Sequence, residues 1–564
     1  MQRSKARRAP IAFALATAAC MLALSISGGC YDGRASSSDD GETEADGDGS
    51  GGDHPETPDE ALNVPSTTAI PRLSRREIDA TIEDVFGISG AAARYLPQDP
   101  RAYVNPQNGA TDEVFDTLSA SKDPGTVFIE GLERMAFDVA RELSMDRARV
   151  AAIAGCEPVG AYDPTCLRSL VVNLGLRLWR RPLTDAEIDT LSSAAAELGE
   201  EGGHDLAVRM VTASLLQSPE FVYKSEIGQD VGDGLRRLDN HELVTRLSFV
   251  MWGRAPSPEL LEAAASSDID DATLMTLAVA VADDARADAQ MRAFHRLWLR
   301  YDELLVTEPD LAADMLAESQ ALVDRVLEDG DRWSTLLTSP ETFVTPSLAE
   351  HYGLANVPSQ AGWVAYANDG RAGLLSHGSF LSLSSTQGSE TLPSRRGAML
   401  AQRILCQSIP PPPPDIDVDA GVEVEEGQCK EDAYAAHSDS GGGCAACHMA
   451  IDPLGFGFER YDGLGRYREA EPDKPQCTIA GEGEVGGEAF SGPREFAAIV
   501  DEQGRAAACA VEKLRRFTSR SGVPHIALAQ RLVTAFEESE EDFRALMVAL
   551  ATDPAFRYRR EEAR

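Results

Sequence analysis

The sequence predicts a mainly α protein, with several helical domains in tandem and a few short strands. Three observations carry this expectation. Helix-start signatures recur along the chain, apolar residues repeat at helical spacing over long stretches, and strand-like alternation is sparse. A length of 564 residues leaves room for about three to five domains.

Residues 1–30 read as an export signal. Arg3, Lys5, Arg7 and Arg8 form a basic start, and residues 11–26 are an apolar run too short for a bilayer span. The run ends in Ser27-Gly28-Gly29-Cys30, which resembles a bacterial lipoprotein cleavage box with Cys30 as the acylated first residue. Ser27 stands where that box usually has leucine. Lipidation of Cys30 therefore stands beside plain signal cleavage and an uncleaved anchor as alternatives. Residues 31–68 read as a disordered acidic linker, with ten acids between Asp39 and Glu60 and no Lys or Arg among them.

The helical body begins at 69–150. Ser74-Arg75-Arg76-Glu77 is a capping box, Leu73 and Ile78 are placed as its hydrophobic staple, and Gly87 is a stop. In the domain at 151–230, Thr184-Asp185-Ala186-Glu187 repeats the device after Pro182. In the domain at 231–366, Asp239-Asn240-His241-Glu242 does so again between Leu238 and Leu243. From there Leu243, Leu247 and Met251 run down one stripe to Gly253. Further helical periods cover 282–301, 311–337 and 506–551. Short strands are expected at 363–366 and within 478–490. Trp179, Trp252 and Trp298 read as packing residues, and His241 and His351 as structural.

The segment at 367–475 contains a proline-rich linker at 410–428, polyproline at its start and acidic after it. Beyond it lies Cys444-Ala445-Ala446-Cys447-His448, a C-x-x-C-H. This spacing attaches a c-type haem, with two thioether bonds to one porphyrin and the histidine as proximal iron ligand. A redox dithiol or half a zinc site is the plainer reading. However, the chain has no second C-x-x-C and no thioredoxin-like context. The imidazole of a bound histidine donates its other ring N–H to an acceptor. In Ile451-Asp452-Pro453-Leu454-Gly455-Phe456 that acceptor is sought at Asp452 or Pro453. A tight turn, with Phe456 and Phe458 as core, accounts for the same residues. Arg466 and Arg468 are candidate partners of haem propionates, against ordinary surface roles. The distal ligand is open, with His377, His437, His525 and Met547 as candidates. The last domain, 476–564, is expected to be a hairpin plus helices. Its Gly481-Glu482-Gly483-Glu484-Val485-Gly486 is a literal G-x-G-x-x-G without strand-to-helix context, and its glutamates would repel a pyrophosphate. A hairpin turn is expected instead.

Ten cysteines fit export. Cys20 leaves with the signal, Cys30 is the lipid candidate, and Cys444 and Cys447 belong to the motif. The six others suggest three disulfides. Cys156–Cys166 closes a small loop. Cys406–Cys429 and Cys477–Cys509 are taken for the rest, with other pairings open. The net charge of −40 argues against nucleic acid and fits a basic partner or a saline habitat.

The run 444–468 resembles the planctomycete-type cytochrome c domain of large exported proteins. Arg72 to Glu77, Trp179-Arg180-Arg181-Pro182, Ser218-Pro219-Glu220-Phe221, the stretch 247–253, His351-Tyr352-Gly353-Leu354, Arg371-Ala372-Gly373-Leu374-Leu375 and 509–520 resemble its companion domains in their usual order. The resemblance covers about 71–557. It implies Cys444 and Cys447 as thioether sites, His448 as proximal ligand and one covalent haem c, and it assigns no activity to the helical domains. Three functions follow as expectations. The first is a periplasmic or cell-surface single-haem protein exchanging electrons with an unknown partner or substrate, membrane-held through Cys30. The second is a haem peroxidase or oxygenase. The third is a non-catalytic lipoprotein that binds a protein or a glycan.

Overall fold

The computed structural model describes residues 66–67 and 71–561, apart from 101, 105–110, 114, 120–124, 267, 368–369, 386–389, 410–421, 423, 440–442 and 521–524. The signal, the lipid candidate Cys30, nearly all of the acidic linker and the polyproline run lie outside the described residues.

All three capping boxes form. At the start of α1 (Arg75–Phe86), Ser74 Oγ accepts from Glu77 N at 3.2 Å, and Glu77 Oε2 accepts from Ser74 N at 2.9 Å. Gly87 ends the helix at φ 69°, a left-handed position that glycine occupies without strain. Next come α2 (Thr126–Met145), α3 (Pro164–Trp179), α4 (Asp185–Gly202, capped by Thr184) and α5 (His204–Gln217). These five helices share one core, in which Leu73, Ile82, Val139, Leu170, Leu174 and Leu215 are buried.

A second core begins at α6 (Asn240–Trp252), where Asp239 and Glu242 form the third box. It continues through α7 (Ala285–Leu299) and α8 (Pro309–Glu328). After α9 (Pro346–Tyr352) come α10 (Pro393–Arg403), α11 (Lys430–Asp439) and α12 (Gly443–Phe456). The chain ends on α13 (Arg505–Ser519), α14 (Ile526–Glu538) and α15 (Phe543–Thr552). Leu247, Phe294, Leu400, Phe458, Leu514 and Met547 belong to one cluster, so the last helices complete the core that the middle ones begin. Phe294 stacks on Phe543 at 5.4 Å, and Trp298 stacks on Trp333 at 5.5 Å.

Strands are few and short, as expected. Ser66–Thr67 (β1) runs parallel to Tyr558–Glu561, and Leu235–Arg237 and Gln229–Gly232 extend that sheet. Gly362–Ala365 pairs antiparallel with Glu341–Val344. The G-x-G-x-x-G stretch is part of a hairpin between Glu482–Val485 and Glu488–Ser491. Gly486 and Gly487 form its two-residue loop at φ 62° and 84°, as a type I′ turn requires. Among the described residues no helix is long and apolar enough to cross a membrane.

Three expectations are corrected. The helical periods at 311–337 and 506–551 are not continuous. α8 stops before Gly330 (φ 70°), and left-handed Arg520, Glu540 and Glu541 separate the last three helices. The stretch 451–456 is the end of α12 and not a turn after it, with Pro453 inside the helix. Cys156–Cys166 is bonded as read, but the other bridges are Cys406–Cys509 and Cys429–Cys477, not Cys406–Cys429 and Cys477–Cys509. Cys406, just beyond α10, lies against α13, where Cys509 is buried. Residues 428–430 are fastened to the small hairpin of Ala470–Glu471 and Lys474–Thr478. Lys430 N donates to Glu471 Oε1 at 2.5 Å, and Lys474 Nζ donates to the Gln428 carbonyl at 2.7 Å.

Candidate functional site

α12 places Cys444, Cys447 and His448 within one turn, so positions three and four apart share a face. The side chains of Cys444, Cys447 and the distal candidate His437 lie outside the described residues. His448 is half-buried, and its Nδ1 lies 3.0 Å from Asp452 Oδ2, one turn further along α12. Ser394 on α10 completes the group, with its Oγ donating to Asp452 Oδ1 at 2.5 Å and lying 3.2 Å from His448 Nδ1. Of the two acceptors expected for this histidine, the Asp452 carboxylate is the one at its ring. Phe458 is fully buried, as the plainer reading expected.

Two glycines bring α10 and α12 together. A Cβ on Gly397 would lie 1.7 Å from the Ile451 carbonyl oxygen, and one on Gly455 would lie 1.9 Å from that of Pro393. The helices therefore cross backbone against backbone. That closeness lets a side chain as short as serine reach across to His448.

Beside the crossing is a buried ionic network. Arg396 Nη1 bonds Glu459 Oε1 at 3.2 Å and the carbonyls of Phe458 and Tyr461 at 2.9 Å. Arg468 Nη2 reaches Glu459 Oε2 at 2.8 Å and Thr391 Oγ1 at 2.9 Å, and Lys430 Nζ lies 3.7 Å from the same carboxylate. Burial pushes the Glu459 carboxyl up, but Arg396, Lys430 and Arg468 outweigh it and hold it below the usual range. Burial pushes the Arg396 guanidinium down to about 10. Arg468 thus belongs to this network. Arg466 is exposed, with Nη2 3.4 Å from His351 Nδ1.

The other distal candidates make their described contacts elsewhere. His525 caps α14, its Nδ1 accepting from Leu528 N at 3.1 Å. Met547 is buried in the second core. His377 is fully buried, with Nδ1 2.9 Å from Ser319 Oγ and Nε2 3.6 Å from Glu318 Oε1.

Three family models match the chain. PSCyt3, described as a protein of unknown function (DUF1588), covers residues 371–471. PSD4 (DUF1592) covers 238–354, and PSD5 (DUF1595) covers 166–226. These are the planctomycete cytochrome c-associated domains, and together they match the planctomycete-type cytochrome c multidomain family. No curated protein and no solved structure matches it. The PSCyt3 segment holds the crossing of α10 and α12 with Ser394, His448, Asp452 and Glu459. A second buried cluster joins PSD4 to PSCyt3. Tyr352 donates to Glu318 Oε2 at 2.7 Å and accepts from Gly378 N at 2.8 Å, and Thr342 donates to Glu318 Oε1 at 2.5 Å. Arg371 lies between the rings of Tyr352 and Tyr461, at 4.8 and 4.9 Å. Burial raises the Glu318 carboxyl to about 8 and lowers His377 to about 3. Sequence reasoning missed Ser394, Glu318 and Glu459. For Ser394 the one local sign is its place directly after a proline that opens a helix.

Proposed function

We propose that this chain is an exported, membrane-tethered c-type cytochrome with one covalent haem, through which it exchanges electrons with a partner or substrate. One observation carries the reading. His448 follows Cys444 and Cys447 at the attachment spacing, and Asp452 engages its Nδ1, so a bound iron takes Nε2. The donor set fits the group, with two thiols for the porphyrin and one oriented imidazole for the iron. Haem bound there supplies one-electron chemistry tuned by its ligands and surroundings. Cys444 and Cys447 anchor it, His448 ligates it, and Arg466, exposed where Arg468 is held by Glu459, is the cation offered to its propionates. The signal at 1–30, lipid on Cys30 and the acidic linker hold the body at a membrane surface outside the cytoplasm, where three disulfides persist.

The test is the full chain expressed with haem-maturation machinery. Intact mass reports the porphyrin adduct and the lipid together. A reduced low-spin c-type spectrum unmoved by carbon monoxide is the expected result. A high-spin spectrum shifted by carbon monoxide or cyanide favours the peroxidase or oxygenase instead. No Soret band, with Cys444 and Cys447 joined to each other or holding zinc, overturns the redox reading and leaves a protein- or glycan-binding scaffold.

A further inference from the structure

The acceptor at His448 carries a charge that holding the ligand in place does not itself require. A neutral backbone carbonyl would orient the ring equally well. Here the acceptor is a carboxylate on a residue only 6% exposed, where water screens its charge weakly. Among the described ion pairs Asp452 has no arginine or lysine, and its oxygens meet Ser394 and His448. The hydroxyl of Tyr434 on α11 adds a further contact to Ser394. The neighbouring cations Arg396, Arg468 and Lys430 are arranged around Glu459.

We propose that Asp452 and Ser394 are positioning residues that act through His448 in opposite senses on the reduction potential of the metal it binds. This rests on the haem reading above. Asp452 draws the Nδ1 proton toward itself, which makes the ring more basic and more anionic at Nε2. A more basic ligand and a nearby negative charge both stabilise the oxidised, more positive iron, so Asp452 lowers the potential. Ser394 works against this. Its hydroxyl donates to Oδ1 and withdraws part of the carboxylate charge that would otherwise act on the imidazole. The close crossing at Gly397 and Gly455 fixes how much it withdraws, because it sets the distance between α10 and α12. The potential is thereby set from two elements, one carrying the ligand and one packed on it.

Two variants of the haem-loaded full chain test this by potentiometric titration against wild type. Asp452→Asn keeps the shape, leaves a neutral acceptor and should favour the reduced form at least ten-fold, a rise of about 59 mV for one electron. Ser394→Ala leaves the whole carboxylate to His448 and should shift the equilibrium the other way, toward the oxidised form, by two-fold or more. Shifts of opposite sign support the proposal, since loosening of the histidine alone moves both variants the same way. Shifts of one sign, or none, in proteins that retain haem and melt as wild type overturn it and leave the haem reading intact. A wild-type protein without haem overturns both.

Discussion

Removing the Cys406–Cys509 bridge should destabilise the protein more than removing Cys156–Cys166, and the loop lengths say by how much. Cys406 and Cys509 are 103 residues apart, and Cys429–Cys477 already closes 48 of those. With the inner bridge intact, the outer one closes an effective loop of about 55 residues (103 less 48), worth about 4 kcal/mol of unfolded-state entropy at 25 °C. Cys156–Cys166, 10 residues apart, gives about 2.7 kcal/mol on the same scale. With an unfolding entropy of ~2.1 cal/mol/K per residue over roughly 490 residues, 4 kcal/mol lowers Tm by about 4 °C if the body melts together. The drop is larger if the segment between the two cysteines melts alone. The assay is calorimetry of Cys406→Ala/Cys509→Ala beside Cys156→Ala/Cys166→Ala, with peptide mapping under non-reducing conditions. A smaller loss for the outer pair than for the short loop, or recovery of Cys406 joined to Cys429, would refute the reasoning.

Glu318 gives the pH prediction. Its folded carboxyl titrates near 8 against 4.5 when unfolded, so the folded state holds a proton that the unfolded chain has released. That contribution is complete below about pH 4.5 and is lost as pH rises to about 8, up to about 5 kcal/mol in all. His377, pushed down to about 3, acts in the opposite direction between about 3 and 6.5, so the comparison must be with Glu318→Gln, which keeps the histidine. Melting curves of wild type and variant should converge in relative stability toward acid and diverge toward pH 8, and parallel curves would count against a protonated Glu318. Gly455→Ala should cost about 2–3 kcal/mol in denaturant unfolding, because its Cβ meets the Pro393 carbonyl with no flexible side chain to give way. A neutral result would mean that α10 and α12 separate easily.

Legibility in the sequence followed the range of the interaction. Capping boxes depend on residues three positions apart and the Cys156–Cys166 bridge on residues 10 apart, so both are legible in the local sequence. Cys406 and Cys509 meet because α10 and α13 share a core, which no local pattern announces. Asp452 was half legible. The metal-histidine rule pointed to it, but Pro453 suggested a turn, and only a continuous helix puts Asp452 one turn from His448. Glu318 was hidden for another reason. A glutamate in an amphipathic helix looks solvated, and burial shows only once Tyr352, Thr342 and His377 converge from three other segments.

That convergence bears on why domains of unknown function accompany the PSCyt3 segment. Glu318 and Tyr352 come from the PSD4 match, while Arg371 and His377 come from PSCyt3. Arg371 then reaches Tyr461 and the Gly465 carbonyl, at 2.7 Å, in the stretch that follows α12. Tyr461 offers its own carbonyl to Arg396 on α10, two residues from Ser394. A continuous run of buried polar contacts therefore links the PSD4 helices to the crossing that orients His448. None of these groups reaches solvent to any extent, so each depends on the next for its hydrogen bonds. Loss of the PSD4 partner would take Ser319 and Glu318 from His377 and the Tyr352 ring from Arg371, and would uncover PSCyt3 residues such as Leu400 and Phe458, which share their core with the other segments. The helical domains are thus part of what positions the crossing that orients the histidine.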